Sequence, residues 1–233
     1  MAHAKSSRAP APARPHIVFE DSELLVADKP AGLLSVGTDR ERRRTLFRQL
    51  LDRERRRRGG SGVFVVHRLD RDASGLLVFA KSEGVQRELQ RQFRERSAGR
   101  TYRAVVQGCP AREQHVFESY LAENRALNVY VTSDPRRGKP AVTRLRVLRR
   151  GRSTTLVEIA LDTGRKHQIR VHLAAAGHPL LGDRRYGAAG AGPLGRLALH
   201  AVALEFDHPA TGSRLRFESP MPRSFLAALR RTR

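Results

Sequence analysis

Apolar and polar residues alternate along much of this chain, and alternation with a period of two is the signature of half-buried strands. It marks Tyr102 to Val106, Leu127 to Val131, Ala141 to Val147, Leu156 to Leu161 and Leu197 to Phe206. Two continuous apolar runs, Val63-Phe64-Val65-Val66 and Leu76-Leu77-Val78-Phe79, predict two more strands, separated by a short turn rich in Asp, Ser and Gly. Elsewhere the period lengthens to that of a helix. Thr45 is placed to cap a helix with Leu46, Phe47, Leu50 and Leu51 on one face; its basic end, Arg53 and Arg55 to Arg58, precedes a Gly59-Gly60 stop. Ser82 can cap a second helix with Val85, Leu89 and Phe93 inward. A third is expected from near Thr163 to Gly177, burying Ile169 and Leu173, and a last one holds Phe225, Leu226 and Leu229. Many strands with a few interspersed helices, and no regular βαβ alternation, predict an α+β fold with a mixed, mostly antiparallel sheet.

Composition sharpens this picture. Residues 1–15 are rich in Ala, Pro and Ser and carry Lys5 and Arg8 without an apolar stretch behind them, so a disordered basic tail is expected rather than a signal peptide. No linker-like segment divides residues 16–233, which are expected to form one domain. No apolar run approaches the roughly 18 residues of a membrane span. The 45 Lys and Arg against 23 Asp and Glu leave a net charge of +22, which points to a polyanionic partner such as nucleic acid. A genome that favours Arg codons explains Arg in place of Lys, but not the excess of positive charge. Cys109 is the single cysteine, so no intrachain disulfide forms, in keeping with a reducing cytoplasm. It has no His beside it and reads as a small structural residue. His167 and His172 lie five apart and do not share a helical face well, so no metal site is expected.

The chemistry concentrates in a few short stretches. In His67-Arg68-Leu69-Asp70-Arg71-Asp72-Ala73-Ser74-Gly75-Leu76-Leu77, Asp70 follows one apolar strand and precedes the next, flanked by Arg68 and Arg71. Neighbouring positive charge favours a carboxylate's ionised form, and a fixed carboxylate suits covalent or electrostatic catalysis. A turn-capping Asp is the plain structural alternative. His67 reads as a structural hydrogen-bonding residue and Asp72 as the turn-maker. In Leu161-Asp162-Thr163-Gly164-Arg165-Lys166-His167-Gln168-Ile169-Arg170-Val171-His172-Leu173, a strand ends and a helix is expected to begin with Arg165 and Lys166 in its first turn. Cations there oppose the helix dipole, which suggests a specific anion, either a phosphate or a buried carboxylate. Tyr102, within Arg100-Thr101-Tyr102-Arg103, could stack on a nucleobase or serve only as a core residue. Gly138 to Thr143, after Asp134-Pro135-Arg136-Arg137, is a basic turn that could follow a phosphate backbone.

Taken in order, these stretches resemble the RluA family of RNA pseudouridine synthases. His-Arg-Leu-Asp, three residues, then Ser-Gly-Leu is that family's usual signature around its acidic residue. Ile17 to Gly32 resembles its opening strand pair, Arg100 and Tyr102 its basic-x-Tyr, Gly138 to Thr143 its substrate loop, and Thr163 to Arg170 its third core motif. Gly182-Asp183, Tyr186-Gly187, Leu199-His200-Ala201 and Asp207-His208-Pro209 complete the series, so the resemblance spans about residues 16–230. Ala73, Arg100 and Lys166 replace commoner Thr, Lys and Thr, and remove no group the chemistry needs. Many relatives carry an N-terminal S4-type RNA-binding domain; with about fifteen residues before the catalytic region, a single catalytic domain is expected here.

The resemblance implies a pseudouridine synthase fold and an isomerase acting on uridine in ribosomal or transfer RNA. It needs neither cofactor nor metal, and a monomer working in the cytoplasm is expected, with no protein partner evident. It implies that Asp70 is the catalytic carboxylate, that Arg165 pairs with it, and that Tyr102 stacks on the uracil. Arg68 is implied to fill the space a flipped base vacates, and Leu199 to line the uracil pocket or simply the core. The competing reading is a non-catalytic RNA-binding or RNA-folding protein on the same fold. A glycosidase or nuclease is weaker, because no second carboxylate or metal cluster stands at a recognisable spacing.

Overall fold

The computed structural model describes residues 16–38, 41–57, 60, 62–187 and 194–231. The expected tail at 1–15, with Arg58 and Gly59 of the helix-stop motif, lies outside them. In chain order the elements are β1 (His16–Glu20), β2 (Leu24–Lys29), α1 (Leu46–Arg56), β3 (Phe64–Val65), β4 (Ser74–Ala80), α2 (Glu83–Glu95), β5 (Gly99–Gln107), β6 (Gln114–Glu123), β7 (Val129–Thr132), β8 (Lys139–Arg150), β9 (Thr154–Leu161), α3 (Gln168–Ala175), β10 (Leu199–Asp207), β11 (Arg214–Glu218) and α4 (Arg223–Arg231). The strands form one sheet in the order β1-β2-β4-β10-β5-β9-β8-β6-β7, with β11 beside β10 and β3 beside β4. Among the described strands, β4 and β10 run parallel and the other pairs antiparallel. The α+β expectation holds. No described helix is long and apolar enough to cross a membrane.

All seven residues of β4 are buried, which explains why its sequence runs apolar without alternation. Leu77 and Phe79 face one side with Leu25, Ala27 and the α1 residues Leu46 and Leu50. Leu76, Val78 and Ala80 face the other with Leu24, Val26 and the α2 residues Val85 and Leu89. Fully burying each such Leu is worth about 1.5–3 kcal/mol. Both helices start where their caps predict: Thr45 Oγ1 accepts from Arg48 N at 3.1 Å and Ser82 Oγ from Val85 N at 3.3 Å. α4 packs Phe225, Ala228 and Leu229 against Val105 and Leu156 of the central strands, while Leu226 is exposed.

Two boundaries differ from expectation. β7 starts at Val129 rather than Leu127, because Leu127 takes a left-handed conformation (φ 59°) in a turn closed by its own N–H to the Asn124 carbonyl. α3 starts at Gln168 rather than near Thr163. His167 is left-handed (φ 54°), so the residues before it form a separate turn closed by Gln168 N to Arg165 O at 3.2 Å.

Parallel pairing of β4 and β10 places Gly75 opposite Ala201. Gly75 has φ 111°, and a Cβ there would stand 2.3 Å from the Ala201 carbonyl oxygen. Only glycine permits this approach. It seats the loop that carries Asp70 directly over the start of β10.

Candidate active site

Asp70 lies on the loop between β3 and β4, which is held from one side by the segment after β2. The Ser35 hydroxyl donates to the Leu69 carbonyl (2.8 Å) and accepts from the Leu69 N–H (3.0 Å). The Lys29 side chain is fully buried and donates to the carbonyls of Pro30, Leu33 and Arg71 at 3.0, 2.7 and 3.0 Å. Gly32 N–H also donates to the Arg71 carbonyl, at 2.9 Å. The backbone on both sides of Asp70 is therefore fixed by buried polar groups. Burial pulls the Lys29 pKa down to about 7, against the opposing pull of Asp72 and Asp70.

His67 anchors the start of the same loop, as expected of a structural residue. Its Nε2 accepts from Val78 N at 3.2 Å, and its ring packs on Phe93 at 4.8 Å between centroids. Burial, with Arg100 nearby, drives its pKa down to about 3, so the imidazole is neutral.

The carboxylate faces a cleft of about 450 Å³, counting its open mouth. Arg68 and Asp70 reach it from the loop, Arg100 and Tyr102 from β5, Leu199 from β10, Arg165 and His167 from the turn after β9, and Arg170 from α3. All five residues singled out in the sequence thus converge on one cleft. Arg68 and Arg165 are exposed at it; Tyr102 and Leu199 are each 4 % exposed and form its buried wall. Burial raises the Tyr102 pKa, with Asp70 adding to the effect and Arg100 opposing it, so the phenol keeps its proton.

One sequence expectation is corrected. The guanidinium beside Asp70 belongs to Arg170, whose Nη1 lies 3.3 Å from Asp70 Oδ2, and not to Arg165, whose Nε donates to the Pro140 carbonyl at 3.0 Å. The reason is the displaced helix start: Arg165 falls in the preceding turn, while Arg170 sits within α3, 7 % exposed. Arg170 is itself held by Asp183 through two bonds of 2.8 Å, Nε to Oδ2 and Nη2 to Oδ1. Asp183 Oδ1 also accepts from the N–H groups of Arg185 and Tyr186, at 2.9 and 3.1 Å. Burial alone would raise the Asp183 pKa, but Arg170 and the two amides lower it overall. Burial likewise opposes the Arg170 charge, and Asp183 with Asp70 more than offsets it. Held by Asp183, Arg170 is a fixed cation beside Asp70 rather than a mobile one.

Gln168 explains how the turn keeps its shape. Its buried side-chain amide accepts from Thr163 Oγ1 (2.8 Å) and Arg165 N (3.0 Å) and donates to the Val142 carbonyl and Thr143 Oγ1 (both 2.9 Å). Every hydrogen-bonding position of the amide is used, tying the turn to β8. The sequence reading did not single out Lys29, Ser35, His167, Gln168, Arg170 or Asp183 for these roles. Among the described residues no group of three or more His, Cys, Asp or Glu could hold a metal ion.

The sequence model described as RNA pseudouridylate synthase matches residues 23–175. The chain is 39% identical over 225 residues to the ribosomal large subunit pseudouridine synthase D of Nitrosomonas europaea, covering 93% of this chain and 65% of that protein. It is 38% identical over 211 residues to an uncharacterized RNA pseudouridine synthase of Bacillus subtilis, covering 88% and 69%. The chain therefore spans about two thirds of the length of these relatives. Human RNA pseudouridylate synthase domain containing 4 superposes with a TM-score of 0.75 at 26% identity, covering 92% of this chain and 91% of that one. The motif series, the sheet that assembles it into one cleft, and these likenesses agree: the chain belongs to the RNA pseudouridylate synthase family.

Proposed function

We propose that this chain isomerises uridine to pseudouridine in ribosomal RNA with Asp70 as the catalytic carboxylate. The observation that carries the reading is Asp70 itself, a carboxylate placed by buried clamps beside a fixed guanidinium, on the floor of an otherwise cationic cleft. A protein that only bound RNA would gain nothing from a carboxylate in a position that repels phosphate. Relatives named for the large ribosomal subunit favour ribosomal over transfer RNA as substrate.

The reaction breaks the N1–C1′ bond of uridine, turns the base and rejoins it through C5; the C5 proton is lost and N1 gains one, so uridine and pseudouridine are isomers. A base inside a helix cannot be reached, so the target flips out into the cleft. Tyr102 presents its ring as a stacking wall beside Leu199. Its protonated phenol supplies a polar group near the base. Arg68, exposed at the mouth, offers a planar guanidinium that can stack where the base has left. Arg165, anchored through Nε on Pro140, meets the phosphate of the flipped nucleotide. Arg170 holds one oxygen of Asp70 and offsets its charge as the sugar–base bond is cut.

Pseudouridine mapping of total RNA tests this, comparing cells with and without the gene and rescuing with the wild-type chain or Asp70→Asn. A site lost on deletion and restored only by the wild type supports the reading and identifies the substrate. Full restoration by Asp70→Asn rules out Asp70 as the catalyst and leaves RNA binding as the function. An unchanged map in cells that express the protein removes the activity.

A further inference from the structure

His167 stands in the same cleft with no part in the mechanism above, and three observations set it apart. First, its backbone is left-handed (φ 54°) at the start of α3, with no side-chain cap. A non-glycine residue in that region is uncommon, and such conformations cluster where function requires them. Second, its side chain is only 12 % exposed, and Nε2 lies 3.9 Å from Asp70 Oδ1 while Arg170 holds Oδ2. Third, its other nitrogen is committed. Nδ1 is 2.8 Å from the Tyr186 hydroxyl, and that same oxygen accepts the Val129 N–H at 3.2 Å.

The phenol oxygen already accepts the Val129 N–H. A phenol proton given to Nδ1 gives that proton a partner and leaves the imidazole proton on Nε2, facing the Asp70 carboxylate; the opposite tautomer would turn an Nε2 lone pair toward Asp70. Burial keeps the ring neutral. Arg170, Arg185 and Lys166 reinforce this, and Asp70 opposes it. Tyr186 is held in turn, since its N–H donates to Asp183 and Arg170 lies over its ring at 5.1 Å. Arg170 and His167 are thus set by one common support, Asp183 and Tyr186.

We infer that His167 is a positioning residue for Asp70: Tyr186 fixes its tautomer, and its Nε2–H orients Oδ1 while Arg170 orients Oδ2. At 3.9 Å the contact is too long for a hydrogen bond, and it shortens when RNA closes the cleft, as catalytic contacts in unliganded enzymes commonly do. The inference rests on the assignment of Asp70 as the catalytic carboxylate.

Two substitutions separate this role from a structural one. The amide of His167→Gln places a donor where Nε2 stands; the amide of His167→Asn reaches only the Nδ1 position. The left-handed backbone favours Asn over Gln, so a purely structural His167 predicts that Asn is the better replacement. The positioning role predicts the reverse order. The assay is single-site pseudouridine formation on large-subunit ribosomal RNA from cells lacking the gene, with kcat and KM measured for each variant. Loss of a donor to a carboxylate corresponds to a drop in kcat of about 10- to 100-fold for His167→Asn. KM should stay nearly constant, and His167→Gln should recover most of the rate. Equal rates for the two variants, the opposite order, or an effect confined to KM would overturn the inference.

A second measurement does not depend on activity. The ¹⁵N shifts of the His167 ring, assigned by difference from His167→Gln, should report a neutral imidazole protonated on Nε2. In Tyr186→Phe they should move toward the Nδ1–H form. A proton on Nδ1 in the wild-type chain refutes the inference. If the wild-type chain is inactive on this RNA, the functional reading fails, and the tautomer alone decides whether His167 is set to face Asp70.

Discussion

Lys29 allows the sharpest energetic test of how the Asp70 loop is built. Replacing it with Met removes three hydrogen bonds to the Pro30, Leu33 and Arg71 carbonyls, and also removes a buried charge. The two effects have different pH dependence. The native pKa of about 7 lies below the unfolded value of 10.5, so between those limits the unfolded chain binds a proton that the native state does not. Stability then rises with pH across this window, and the charge penalty is full only below pH 7. Integrating the linkage relation from pH 6 to pH 9 gives the wild-type chain about 2–3 kcal/mol of stability that Lys29→Met cannot gain. Urea unfolding of both proteins, followed by circular dichroism at the two pH values, measures this difference, and ionisations common to both cancel. Lys29→Met should therefore be more destabilising at pH 9 than at pH 6. An equal effect at both would refute the reasoning and show that three carbonyls hold Lys29 as an ammonium throughout the range.

Other outcomes follow from the same geometry. Asp183→Asn keeps an oxygen for the Oδ1 bonds but turns its NH2 toward the Arg170 Nε–H and removes the charge that pairs with Arg170; it should cost about 3–5 kcal/mol in urea unfolding, with pseudouridine formation also reduced. Its native pKa is below the unfolded 3.8, so the wild type holds this stabilisation above that pH and loses it as pH falls through the native pKa. The variant should therefore show a shallower acid-unfolding curve. Gly75→Ala forces a Cβ against the Ala201 carbonyl and should give insoluble chain or a cooperative transition at much lower urea. Arg165→Ala, which removes the cation assigned to the phosphate, should weaken binding to a range of RNAs alike and flatten the salt dependence by about 0.7–0.9 in log–log slope, measured by filter binding.

Local chemistry was legible wherever it depended on neighbours in sequence. Thr45 and Ser82 announce their helices because a cap needs only the next three residues. The doubly buried β4 shows as an unbroken apolar run, and the cleft residues Arg68, Asp70, Tyr102, Arg165 and Leu199 stand in recognisable motifs. What stayed hidden depends on the sheet. Nothing near Asp70 in sequence points to Ser35 or Lys29, which reach its loop because β2 lies beside β4. The choice between Arg165 and Arg170 turns on where α3 begins, and that is decided by the left-handed His167, which no periodicity shows. Asp183 is visible as part of Gly182-Asp183, but its hold on Arg170 is not.

The parallel seam between β4 and β10 also sets a timetable for synthesis. Ser74 and His200 share a hydrogen bond across 126 residues of chain, and the cleft wall at Leu199 belongs to the later strand. A ribosome must release everything through β10 before the Asp70 loop has its floor. Until then the nascent polypeptide presents a basic surface with an unfinished pocket. It can adhere to the RNA around it, but the cleft that would receive a base is complete only once the last of these strands has emerged.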